Sequence, residues 1–214
     1  MIISPGRQFV FVHIPKTGGT SMALALESRA HRDDILIGDT PKAQKRKGRL
    51  KSLTAKGWLW KHSTLADMDG VLPPRTLSAM FVFTLVRNPW DRMVSYYHWL
   101  RDQRFDHPAV TLARSVSFDA FVLHDQTRDA LSATPYSSYM RPADGTDLLC
   151  HYIRLEHLAA DIAPLEAHLG FSLQIPHVNR SNRPADYRRA YTDETRTAVE
   201  NICAQDIAQF HYQF

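Results

Sequence analysis

Cysteine is scarce in this chain of 214 residues, which carries only Cys150 and Cys203. Two thiols so widely separated make neither a zinc knuckle nor a disulfide scaffold, and a reducing compartment is the default reading. Long hydrophobic runs are missing too. The opening residues MIISPGRQ lack a basic segment followed by an apolar one, and the first apolar run is far too short to span a bilayer. Neither a leader nor an integral membrane segment is therefore expected. There is no internal repeat, no low-complexity tract and no GxxxxGK[ST] sequence, the loop that a P-loop nucleoside triphosphatase needs.

Charge of one sign is only mildly in excess. Lys and Arg number 26 against 22 Asp and Glu, a formal net charge of +4 with a pI near 9.1, which suits a protein with anionic ligands. Much of that excess lies in one run after Pro41: Lys42, Lys45, Arg46, Lys47, Arg49 and Lys51. With few apolar anchors, the run reads as a mobile, solvated loop. It has no interleaved aromatics and no accompanying recognition motif, so nucleic acid is not expected as a partner. The hydrophobic fraction of 44% and charged fraction of 22% are ordinary, and the length fits a single domain over 1–214.

What is there begins at Phe9. Phe9 to Ile14 are alternating β-formers that read as a buried strand, stopped by Pro15 because proline cannot donate to a ladder. The loop Lys16-Thr17-Gly18-Gly19-Thr20-Ser21 then opens at the strand's end, before a helix-compatible segment. Its glycines let the backbone turn N–H groups inward and let an anion approach without meeting a Cβ. Thr20, Ser21 and the helix add hydroxyls and the positive end of a dipole. Lys16 adds a full charge. Its lysine precedes the glycines, the reverse of a Walker A loop. Taken alone, the segment also fits an ordinary tight turn.

Met80 to Leu100, MFVFTLVRNPWDRMVSYYHWL, repeats the strand, turn and helix. Phe81 to Val86 is a continuous apolar run of the kind found in a parallel sheet covered on both faces. Asn88 is a good N-cap and Pro89 a good first helical residue. Trp90, Met93, Val94 and Tyr97 form the core stripe, with Asp91, Ser95 and His98 off it. Arg87 thus sits at a strand's carboxyl end with Ser95 about two turns into the helix, where a guanidinium and a hydroxyl can share one phosphate. The plainer reading of each is a salt bridge for Arg87 and a solvated Ser95.

The pair PKTGGTS and RNPWDRMVSYY resembles the sulfotransferases that use 3′-phosphoadenosine 5′-phosphosulfate (PAPS). Within them the chain looks most like the carbohydrate and heparan sulfate 2-O-sulfotransferase group and its bacterial relatives. The resemblance implies that Lys16, Thr17, Gly18, Gly19, Thr20 and Ser21 hold the donor's 5′-phosphosulfate, and that Arg87 and Ser95 hold its 3′-phosphate. Weaker likeness runs through Tyr152 to Glu156, His177 to Ser181 and the C-terminal Tyr-Gln-Phe. A basic segment between Pro176 and Pro184 would then fold over the nucleotide, with Asn179 and Ser181 as candidate contacts, or be a solvated loop. The product would be adenosine 3′,5′-bisphosphate (PAP). Relatives in the Golgi carry a membrane anchor, and its absence here points to a soluble, cytoplasmic, bacterial enzyme.

Sulfuryl transfer needs a base for the acceptor hydroxyl and a cation for the leaving phosphate. Lys16 suits the second role, and no metal is required. For the first, His62 in Trp60-Lys61-His62-Ser63 lies between the two motifs, where the resembling enzymes place a catalytic histidine, often as Gly-His rather than this Lys-His. His13 on the first strand, His98, Glu27 and Glu156 are rivals, each with a structural alternative. The acceptor would be a hydroxyl of a carbohydrate or other small metabolite. On this reading the basic run after Pro41 becomes a possible patch for an anionic glycan or lipid head group. A P-loop-type kinase and a catalytically silent nucleotide-binding module are the competing classes.

The rest of the chain completes an α/β pattern. Further strands are expected at Asp34 to Ile37 and His151 to Leu155. Helices are expected at Phe118 to His124, Asp161 to Leu169 with Gly170 as terminator, and Asp193 to Phe210 with Thr192 as N-cap. The irregular, aromatic stretch Ala130 to Gly145 would line an acceptor pocket or make a surface excursion. The alternation predicts a three-layer, P-loop-like fold, a central parallel sheet flanked by helices, with ligands at the strands' carboxyl ends.

Overall fold

Five short strands carry the architecture of the computed structural model, which describes residues 1–176, 178 and 186–214. They are β1 (Ile2–Ser4), β2 (Phe9–Val12), β3 (Ile35–Leu36), β4 (Phe81–Val86) and β5 (Cys150–Arg154). Their order in the sheet is β3-β1-β2-β4-β5. β2, β4 and β5 are parallel, with Phe9 opposite Phe81 and Val82 opposite Cys150. β1 is antiparallel to both β2 and β3. One inverted strand thus interrupts an otherwise parallel sheet.

The chain divides into two units, Met1–Val86 with Ser138–Val178, and Arg87–Ser137 with Asn179–Phe214. In the first, strand alternation separates two cores, because successive side chains point to opposite faces. Ile2, Phe9, Phe11, Phe83, Leu85 and Ile153 pack with Met22 and Leu26 of the Gly19–Ser28 helix and with Leu165. Ile3, Val10, Val12 and Val82 pack with Leu65, Met68 and Met140 on the other. The sheet is therefore covered on both faces.

The second unit is helical. Trp90, Met93, Tyr97 and Leu100 of the Pro89–Asp102 helix meet Val110, Phe121, Val122 and Val199, so the expected stripe is the buried one. The expected single C-terminal helix is two, Asp193–Ile202 and Ala204–Phe210, broken at Cys203. The break accompanies an inward Asp206, whose carboxylate accepts the Tyr136 N–H at 2.9 Å. Thr192 caps the first of these helices in a capping box with Thr195. Among the described residues no helix is long and apolar enough to cross a membrane.

The basic run is not a mobile loop. Thr40 caps a helix at Pro41–Arg46, followed by a 3-10 helix at Lys47–Ser52. Lys42 donates to the carbonyl of Glu27, Arg46 to those of His31 and Asp34, and Arg49 to that of Arg32. Three of the cations thus meet main-chain carbonyls at and beyond the end of the Gly19–Ser28 helix, where the dipole favours positive charge. Tyr136 is likewise core rather than pocket lining, fully buried in a short helix, Tyr136–Tyr139.

Candidate active site

The turn after β2 has the conformation its sequence calls for. Gly18 stands at φ 86° just before the Gly19–Ser28 helix, and no side chain caps that helix start. The first N–H groups of a helix have no intrahelical acceptor, so this end presents donors and a positive dipole to an anion. Lys16 also adopts a left-handed backbone, φ 67°, a conformation costly for a side-chain-bearing residue and concentrated at functional turns. Thr17 is buried and its hydroxyl donates to the Ile14 carbonyl at 2.9 Å, closing the turn rather than facing outward. Thr20 and Ser21 are half-buried on the helix's first turn.

Gly19 allows a close approach. A Cβ there would lie 2.1 Å from Cδ2 of His13, so the imidazole packs directly on the turn. His13 is buried, 6% exposed, with its ring near-parallel to Phe11 at 5.9 Å and edge-on to His62 at 4.6 Å. The His62 Nδ1 lies 2.7 Å from the His13 carbonyl oxygen. A carbonyl only accepts, so Nδ1 carries the hydrogen and the neutral ring keeps its lone pair on Nε2. Burial pushes the His62 imidazole down to about 4, opposed by that hydrogen bond and assisted by Lys61. The His62 imidazole is therefore neutral at pH 7 with its tautomer fixed. His13, which burial and then His62 also lower, packs between the turn and His62.

The rivals are placed elsewhere. Glu27, buried on the Gly19–Ser28 helix, accepts from the Thr40 hydroxyl at 2.7 Å, and burial raises its carboxyl. Glu156 is exposed in a 3-10 turn after β5. At that strand end Arg154 pairs with Asp161, at 2.7 Å.

In the second unit, Asn88 accepts from the N–H groups of Trp90 and Asp91 and so caps the Pro89–Asp102 helix. Arg87, Asp91 and Ser95 recur every four residues, which aligns them along the helix. The Arg87 Nε and Nη2 both donate to Asp91 Oδ2, at 2.9 and 2.7 Å, with the guanidinium only 12% exposed. Ser95 is buried, 3% exposed, not solvated. The Arg87 carbonyl accepts from the Tyr136 hydroxyl at 2.6 Å, and the Arg92 guanidinium lies over the Tyr136 ring at 4.8 Å. Sequence reading missed Tyr136 in this role, since a partner 49 residues away leaves no local signal. Asn179 and Ser181 lie outside the described residues.

The sequence profile of the sulfotransferase family matches residues 1–213, and the chain belongs to that family. No curated protein matches it. Among solved structures it is similar to a crystal structure of mouse sulfotransferase SULT7A1 complexed with PAP. The two share 14% identity and a TM-score of 0.51, over 96% of this chain and 86% of that one. At that identity the likeness supports the fold: a mixed α/β structure, a mostly parallel five-stranded sheet flanked by helices.

Proposed function

We propose that this chain transfers a sulfuryl group from PAPS to an acceptor hydroxyl and releases PAP. The observation that carries the reading is the packed series Gly19, His13 and His62, which joins the phosphate turn to a neutral base within one unit. The turn fits an anionic donor: Gly18 is left-handed, a Cβ at Gly19 would strike His13, and the helix start is uncapped. When bound, PAPS supplies the sulfuryl group on a phosphate leaving group. The loop Lys16, Thr17, Gly18, Gly19, Thr20 and Ser21 holds its 5′ end through main-chain N–H groups and the Thr20 and Ser21 hydroxyls, the Thr17 hydroxyl closing the turn on Ile14, and the Lys16 ammonium meets the growing charge on the leaving oxygen. Arg87 and Ser95 take the 3′-phosphate. His62 accepts the acceptor's proton at Nε2, a transfer open to it because its ring is unprotonated at neutral pH. Lys16 and His62 are thus the proposed catalytic pair, with no metal in the step.

The reading extends to a cytoplasmic, bacterial-type enzyme of the carbohydrate and heparan sulfate 2-O-sulfotransferase-like group, with a carbohydrate or small-metabolite acceptor. Titration of the metal-free protein with PAP and separately with ADP, by heat or melting temperature, tests it. Preference for PAP is expected. Preference for ADP, especially with magnesium, would replace it with a kinase reading, and PAP binding without PAPS turnover would leave a silent binding module.

A further inference from the structure

Two indoles stand in solvent beside the proposed base. Trp58 is 82% exposed and Trp60 48%, an uncommon use of the two largest side chains in a short stretch. Burial normally dominates the contribution of such residues, so large apolar groups held outward on an ordered segment mark a binding surface.

The segment is ordered. Ser63 is fully buried, and its Oγ accepts from the Trp60 N–H at 2.8 Å and lies 2.9 Å from the carbonyls of Trp58 and Trp60. Upstream, the Gly57 N–H donates to the Asp67 carbonyl at 2.9 Å and the Lys56 N–H to that of Asp69 at 2.8 Å. Both indoles are thus presented by a turn pinned on either side, which lowers the ordering cost of anything that settles on them.

Their neighbour is the proposed base. The Trp60 ring stands edge-on to His62, centroids 5.0 Å apart at 87°. Phe11, His13, His62 and Trp60 therefore form a row of rings running from the core to the surface. Lys61, between Trp60 and His62 in sequence, is paired with Asp39 at 2.6 Å, and Lys56, two residues before Trp58, with Asp69 at 2.5 Å, so the cations flanking the indoles in sequence are already matched. The surface is aromatic rather than cationic.

We propose that Trp60, assisted by Trp58, is the stacking platform of the acceptor site and takes the apolar C–H face of a pyranose ring. The inference rests on the reading of His62 as base. A sugar lying on Trp60 carries its hydroxyls around its rim, beside the imidazole that must deprotonate one of them. A flat phenol would call for an enclosed apolar slot. Trp58, open to solvent, instead suits a second sugar of a chain running past the site. The neutralised Lys61 fits an uncharged ring face in place of an anionic patch.

The test measures transfer of labelled sulfate from PAPS to cellohexaose, maltohexaose, chitohexaose and 2-naphthol, with PAP affinity determined on the same preparations. The wild-type enzyme is expected to sulfate at least one of the hexasaccharides. Trp60→Ala should raise the KM for that sugar about tenfold, with PAP affinity unchanged. Trp60→Phe should recover most of the loss, and Trp58→Ala should raise KM less. Transfer to none of the sugars, preference for 2-naphthol, or a KM indifferent to Trp60→Ala overturns the platform. Failure of the wild-type protein to bind PAP would instead sink the underlying donor reading, so the two failures are separable.

Discussion

The turn after β2 and the turn after β4 both lead into a helix, but they are built from different materials. Before Gly19 the helix start is left without a side-chain cap; the Ser21 N–H bonds the Gly18 carbonyl, and the N–H groups of Gly19 and Thr20 ahead of it are the ones a bound anion would meet. Before Pro89 nothing of the kind remains. Proline has no N–H, and Asn88 has already taken those of Trp90 and Asp91. An anion recognised at the second turn must therefore be held by side chains, and the arginine that would hold it is oriented by Asp91 and, through its carbonyl, by Tyr136. On the proposed donor reading, one motif would be a main-chain cradle that requires glycine, and the other a side-chain grip that requires a positioned guanidinium.

That contrast can be broken by ligands differing at one end. If Arg87 grips the 3′-phosphate, Arg87→Ala should weaken PAP binding about 100-fold, the worth of a charge-assisted contact of roughly 2–3 kcal/mol, while ADP, with no 3′-phosphate, loses little. Equal losses for both nucleotides would dissolve the distinction. In the cradle the comparable damage is steric. Gly19→Ala forces a Cβ into His13, buried between Phe11 and His62. The expected destabilisation is about 2 kcal/mol, seen in thermal melting, with Gly48→Ala as control because a Cβ there meets nothing within 4 Å. A Gly19→Ala protein that melts like the Gly48→Ala control would contradict the close approach. Tyr136→Phe should be milder, weakening PAP about fivefold and ADP hardly at all. A loss shared by both ligands would make Tyr136 merely structural.

Both motifs were legible because each is one continuous stretch that combines a strand, a turn and a helix start. Periodicity also gave the buried stripe from Trp90 to Tyr97 and the glycine terminator at Gly170, which is left-handed at φ 74°. β1 escaped notice because three residues, Ile2–Ser4, are too few to show an alternation. The basic run misled for a different reason. Three of its charges are directed at main-chain carbonyls up to 17 residues earlier, and composition cannot tell a solvated lysine from one that closes another helix. The contacts that position His62 and Arg87 span 49 residues each, from His13 and Tyr136. Such pairings come from the sheet and the helical core, and no local pattern announces them.

His62 and Asp206, one in each unit, also respond to pH in opposite senses. His62 is depressed from 6.5 to about 4 by burial, so its share of stability is present above pH 6.5 and is lost as pH falls toward 4. Asp206, buried beneath Tyr136, is raised from 3.8 to about 6, again by burial. Its share is full below 3.8 and is lost as pH rises through 6. Between pH 4 and 6 the two offset one another. Asp206→Asn removes one side of that balance and keeps an oxygen to accept the Tyr136 N–H. The melting temperature should then match wild type near pH 4 and exceed it at pH 7.5 by a few degrees. A variant that melts lower at pH 7.5 would show instead that the nearby Arg92 needs the Asp206 carboxylate as its counter-charge more than burial penalises it.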